Sequence, residues 1–334
     1  MTEAPGSPRT PGADHPDVLT ATDTWFLRHG LPYFVPEQRR DARAALRLRR
    51  SLPLVLLIGL AGAAGGVALA FVVDQFSAAP ATLISLGLLA AASYALTALK
   101  AGPIVGWALS RTFGSLRTLL PMMSRALPLL LLFVTFLFIN AEVWQVASWM
   151  EPSTLWLVAL LFGVLAVGFL LVRLPEEVDQ VDDDVDERLL RKACRGTPLA
   201  DDCERLLDEG VDVARHAEVT GFERWNLVLV LLVIQAAQVM LLAATVFVFF
   251  MVFGSLIMNG HVVATWTDDN ASVVGPTLVQ VSIFLASFSA LYLTVSTVTD
   301  EAYRNQFFGS VLSELERAVG MRAVYLALRD RDRA

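Results

Sequence analysis

Apolar residues in this chain gather into six blocks of roughly twenty or more, each enough to cross a hydrocarbon core of about 30 Å as a helix. They lie at about 53–73, 81–99, 127–147, 154–172, 225–258 and 274–298. The pattern predicts an all-α fold: a polytopic membrane helical bundle with six transmembrane helices plus cytosolic interfacial and amphipathic helices. The fifth block is too long for one straight crossing, at about 50 Å for 1.5 Å per residue. Tilt, a kink at Gly254 or projection beyond the membrane must absorb the excess.

The third block, LPLLLLFVTFLFINAEVWQVA from Leu127 to Ala147, carries Asn140, Glu142 and Gln145 near its far end. Glu142 is the only acid inside any block. Read as one helix, the block sets Glu142 about 22 Å from Leu127, in the outer third of the bilayer. An ionisable group at that depth is either a carboxylate in a proton or cation path, or a side chain reaching the outer headgroups or bridging helices.

The linking segments divide the chain. Residues 1–51 form a cytosolic N-terminal segment, expected to be disordered to about residue 22 for want of apolar residues and basic toward Arg50. Within it, TWFLRHGLPYFVP fits either a segment at the lipid headgroups or a loop packed on the protein's own cytosolic face. Residues 52–173 hold helices one to four, with a cytosolic amphipathic segment at 100–126 where Leu109, Phe113, Leu116 and Leu120 share a face. Residues 174–224 are an acidic helical segment, 225–298 hold helices five and six, and 299–334 end the chain. That last stretch carries an apolar stripe of Phe308, Val311, Leu312, Leu315 and Val319.

Charge sets the orientation. The links 74–80, 148–153 and 259–273 contain no Arg or Lys, whereas every other link does. The positive-inside bias then puts both termini in the cytosol of a multi-pass protein of the bacterial cytoplasmic membrane. No signal peptide is evident, because the first apolar block starts near Leu52, so the first span is expected to be retained. Only Lys100 and Lys192 among 26 basic residues are lysine, a bias typical of high-GC bacteria. The net charge of −7 is a sum over compartments and points to no nucleic-acid partner.

Three passages, LPLLLLFVTFLFINAEVWQ, QAAQVMLLAATVFVFFMVFG and LYLTVSTVTDEAYRNQFF, together resemble an uncharacterised family of polytopic integral membrane proteins from high-GC bacteria. The resemblance spans about residues 120 to 330. The family has no established activity, so it implies the architecture and carries no functional residue across.

Chemistry is sparse. No HExxH, Walker A, Gly-rich dinucleotide or nucleophile-elbow pattern occurs, and His15, His29, His216 and His261 fall in no span. Nothing therefore names a catalytic residue, a cofactor or a metal ligand, and an enzyme is disfavoured. DDDVD at 182–186 formally matches a diphosphate–magnesium motif, but general acidity around it favours a solvated face. Cys194 and Cys203 match no metal or haem spacing and read as free thiols. Gly62 and Gly66, four apart, read as a close helix contact. Gln235 and Gln238 on the fifth span read as interhelical hydrogen-bonding groups or as the lining of a polar cavity. The sixth span is polar on two sides, with Gln280, Ser287 and Thr294 opposite Ser282, Ser289 and Ser296.

The candidate polar site is thus intramembrane: Glu142, Gln145, Gln235, Gln238 and Ser289. The sequence supports a transporter- or channel-like bundle for a small solute or ion. The alternative is a non-catalytic scaffold that docks a partner, or a second copy of itself, through the acidic loop and C-terminal helix.

Overall fold

The computed structural model describes residues 15–46, 48–114, 130–183, 185–267, 274–299 and 301–331. Helix accounts for 86% of it, and the described residues contain no strand. In chain order the helices are α1 (His15–Arg28), α2 (Pro36–Ala45), α3 (Leu48–Val73), α4 (Ala78–Thr97), α5 (Gly102–Gly114), α6 (Leu130–Phe138), α7 (Ala141–Trp149) and α8 (Pro152–Asp183). There follow α9 (Glu187–Cys194), α10 (Ala200–Asp208), α11 (Gly221–Ile257), α12 (Gly260–Trp266), α13 (Val274–Thr299) and α14 (Glu301–Arg331). Short 3-10 turns stand at Pro32–Phe34 and Ala214–His216.

Four helices are long and apolar enough to cross a membrane, at Ala78–Thr97, Pro152–Val181, Gly221–Ile257 and Gly275–Ser296. The pair α6 and α7 makes a fifth if counted as one bent span. The remaining expected crossing falls in α3, whose described apolar stretch is Gly59–Val72.

At the centre α11, α13 and α8 pack on one another, and α5 and α7 close their flanks. The α3–α4 hairpin stands outside this centre, attached through α4 to α8 and α5. Half of the apolar window of α11 is buried within the chain, against 6% of that of α4, so the hairpin leaves most of its apolar surface to another apolar medium. Gly62 and Gly66 let the two hairpin helices touch. A Cβ on Gly66 would stand 2.7 Å from the Ala79 carbonyl oxygen, and one on Gly62 would stand 3.0 Å from Leu83 Cδ1.

One end of the bundle carries a helical cap. The last turns of α14, from Ala318 to Leu328, are buried on nearly every side by α1, α9, α10 and the Ala214–His216 turn. A helix that is apolar all round belongs in a core. The expected stripe captures only part of this: Leu315 and Val319 are buried, and Phe308, Val311 and Leu312 lie where side chains are outside the described set.

Three expectations change. Residues 15–22 are helical, as the start of α1, and Thr22 is fully buried. The third span is not continuous, because its chain bends by 71° between α6 and α7. Helix α8 runs past Val172 to Asp183, so the first part of the acidic segment extends that helix. The long fifth block is one unbroken 37-residue helix, whose first turn projects into the cap with Glu223 and Asn226 buried there. The TWFLRHGLPYFVP segment packs on the protein itself, with Phe26, Tyr33 and Phe34 in the core. Residues 1–14 and 115–126 lie outside the described residues.

Candidate functional site

The polar groups of the bundle fall at three levels. At the end of the bundle away from the cap, the break after α6 is built by two side chains. Asn140 adopts an extended backbone, and its Oδ1 accepts the backbone N–H of Glu142 at 2.8 Å, capping α7. Trp144 is fully buried and donates its indole N–H to the Phe138 carbonyl at 2.8 Å, satisfying a group freed by the break. Phe138 stacks on Phe250 at 4.8 Å, and Trp144 meets Trp266 of α12 edge-on at 6.2 Å. Glu142 sits in the first turn of α7 with its side chain exposed, and Gln145 is half-buried one turn on.

Along the centre, Gln235, Gln238, Ser282, Ser289 and Thr294 are buried at the α11–α13 level of the bundle. The Ser289 hydroxyl donates to the Leu285 carbonyl at 2.7 Å, and that of Thr294 to the Ala290 carbonyl at 2.8 Å. Gln235 Nε2, Gln238 Oε1 and Ser282 Oγ have no hydrogen-bond partner among the described residues. Buried polar atoms are almost always paired with protein or water, so these three need an explanation. The approach of Leu278 to Gly254 fixes the antiparallel register of the two helices. Counting from that contact, Gln238 stands level with Thr294, Ser289 with Ala243 and Ser282 with Phe250. The orphan groups, from Gln235 to Ser282, are therefore strung along about 22 Å of the interface, by 1.5 Å per residue, and do not gather at one point. No hydrogen bond joins Glu142 to Gln235 or Gln238 among the described residues, and the bend turns Glu142 off the axis of α6.

The cap level was not singled out by sequence. Glu223, in the first turn of α11, is 4% exposed and bridges two arginines. Its carboxylate takes Arg322 Nε at 2.7 Å and Nη2 at 2.6 Å on one oxygen, and Arg39 at 2.6 Å on the other. Arg322 Nη1 also donates to the carbonyls of His216, at 2.7 Å, and Glu218, at 3.0 Å. One turn along α11, Asn226 accepts the Tyr33 N–H at 2.9 Å and donates to the Gly30 carbonyl at 2.8 Å. Gly30 takes φ +71°, the left-handed region where glycine is favoured. Burial holds the Arg39 guanidinium below its ordinary pKa, and the Glu223 charge opposes that shift. Burial also lowers that of His216. The available signals were an arginine inside the apolar run VGMRAVYLAL and two polar residues at the mouth of the fifth span.

Cys194 and Cys203 are free and buried. A hydrogen bond with Cys203, together with burial, pushes the Cys194 thiol well up. Asp186 of the acidic run caps α9 by accepting the Leu189 N–H at 2.7 Å. Among the described residues no group of three or more His, Cys, Asp or Glu could hold a metal ion.

These features define a membrane-type helical bundle with a packed cap and a neutral polar seam. Comparison with protein-family models, with curated proteins and with solved structures gave no match.

Proposed function

We propose that this chain is a six-span protein of the bacterial cytoplasmic membrane, with both termini cytosolic, and that it acts as a transporter- or channel-like bundle for a small solute or ion. An even number of crossings is supported by the meeting of the two chain ends: Phe26 of α1 packs edge-on against Tyr325 of α14 at 5.5 Å. The cytosolic assignment of that end rests on the basic residues of its links.

One observation carries the transport reading. Gln235 Nε2, Gln238 Oε1 and Ser282 Oγ are buried on two apolar helices and have no partner among the described residues. Unpaired polar groups in such surroundings cost about 1–3 kcal/mol each, and a polar solute or water passing along the seam would relieve that cost. A docking scaffold would instead need the apolar stripe of α14 free, and two of its residues, Leu315 and Val319, are buried within the chain.

Single cysteines at Gln238 and Ser282, in a Cys194→Ser/Cys203→Ser background, test this reading. A small methanethiosulfonate reagent should label both in membranes, whereas a cysteine at fully buried Leu285 should stay protected. Equal protection at all three positions would mean a dry seam and no path.

A further inference from the structure

We infer that the solute of the α11–α13 seam is small, polar and uncharged, an inference that rests on the transport reading above. Within 130–138, 152–172, 226–257 and 274–299, the sequence holds no Asp, Glu, Lys, Arg or His. A proton relay needs titratable groups in chain, and here there are none. Glu142 does not supply one, since it is exposed on α7 at the outer end.

Cations are disfavoured by the helices themselves. Bundles that dehydrate cations do so with carbonyls released where a helix unwinds. Both α11 and α13 are unbroken, over 37 and 26 residues, so their interior carbonyls are committed to helical hydrogen bonds. The Leu285 and Ala290 carbonyls each take a hydroxyl as well. The one bent pair among the described residues, α6 and α7, has an N–H and a carbonyl at its break taken by Asn140 and Trp144. A cation in the seam would meet the amide oxygens of Gln235 and Gln238 and the Ser282 hydroxyl spread along about 22 Å, too few oxygens at any one point to replace its water. An anion fares no better, because the same stretches hold no basic side chain and the N-terminus of α7, beside Phe138, is capped by Asn140.

What remains is a balanced neutral set. An amide nitrogen donates, an amide oxygen accepts and a hydroxyl does either. Gln235 is 2% exposed, Gln238 5% and Ser282 0%, so the three are held in the packed interior. Such a row suits a molecule bearing both donors and acceptors and no charge, of the size of water, urea or glycerol.

The test uses the full chain in proteoliposomes, with water, urea and glycerol as stopped-flow probes and potassium, chloride and proton flux measured in parallel. At least one neutral probe should cross about tenfold faster than in protein-free liposomes, while the three ions stay at the lipid baseline. Gln238→Leu, and separately the smaller change Ser282→Ala, should return that flux toward baseline with helix content and elution volume unchanged. Potassium, chloride or proton flux abolished by Gln238→Leu would overturn the neutral class and leave the seam as a path. No accelerated neutral probe, with cysteine at Gln238 labelled, would also overturn the class alone. Protected cysteines at Gln238 and Ser282 would overturn both readings.

Discussion

Tyr325, near the end of the last helix, donates its phenol to the carboxylate of Asp23 in the first, a 2.9 Å hydrogen bond spanning 302 positions of sequence. It fastens the two ends of the chain into one cap. Burial, and then the bond to Asp23, push the Tyr325 pKa to about 12, while burial raises that of Asp23. A raised pKa means that the folded state keeps its proton longer than the unfolded chain. The Tyr325 contribution is therefore whole below about pH 10 and is lost as pH rises toward about 12. Subtracting the phenolate titration of Tyr325→Phe from that of the native chain should leave a single step near the upper value. A step near pH 10 would mean that this phenol is solvated.

Glu223 pins Arg39 and Arg322 together in the cap, and Glu223→Gln would leave Arg322 buried without its counter-ion. Breaking a buried pair from one side costs about 3–5 kcal/mol. The cap should loosen, seen as a lower melting temperature in detergent and as faster reaction of Cys194 and Cys203 with a thiol reagent. Arg322→Met in the same background should recover part of the loss, because the stranded charge is then gone.

Glycine contacts in the outer hairpin differ sharply in tolerance. Gly66→Val should destabilise the protein by about 1–3 kcal/mol, because its Cβ meets the Ala79 backbone and neither helix can yield without separating. Gly59 has nothing within 4 Å of a built Cβ, so Gly59→Ala should be neutral or slightly stabilising through helix propensity. Equal melting temperatures for Gly66→Val and the native chain would show that α3 and α4 do not touch there.

Leu315 is 3% exposed where α14 enters the cap. Leu315→Asp should place a carboxylate among Trp25, Leu227 and Ala318. Hydrogen exchange along the last turns of α14 should quicken, and proteolysis after Arg317 should begin. Unchanged protection would mean that this face of α14 is open to water.

Topology can be read with an impermeant thiol reagent on intact cells, using the Cys194→Ser/Cys203→Ser background. Phe76→Cys and Trp149→Cys, at positions 96% and 69% exposed, should react from outside. Arg28→Cys, exposed at the cap end, should react only after the membrane is opened. The reverse pattern would invert the whole assignment.

The sequence by itself determined the class of structure. Twenty-residue apolar blocks have few alternatives in water or lipid, because only a helix satisfies its own backbone there. The break in the third block was also written locally: Asn140 two residues before Glu142 is a helix-capping pattern, hidden by the apolar run on both sides. Tertiary structure alone decided the rest. The order of an α1–α14 contact cannot be read from a chain whose ends are about three hundred residues apart, since periodicity reports faces and not partners. Arg39 and Arg322 look like ordinary membrane-flanking and surface charges until folding brings both to Glu223. Gln235, Gln238 and Ser282 were visible as polar residues in apolar helices. That they are left unpaired depends on which helix faces them and at what register, and that was fixed by the close approach of Leu278 to Gly254.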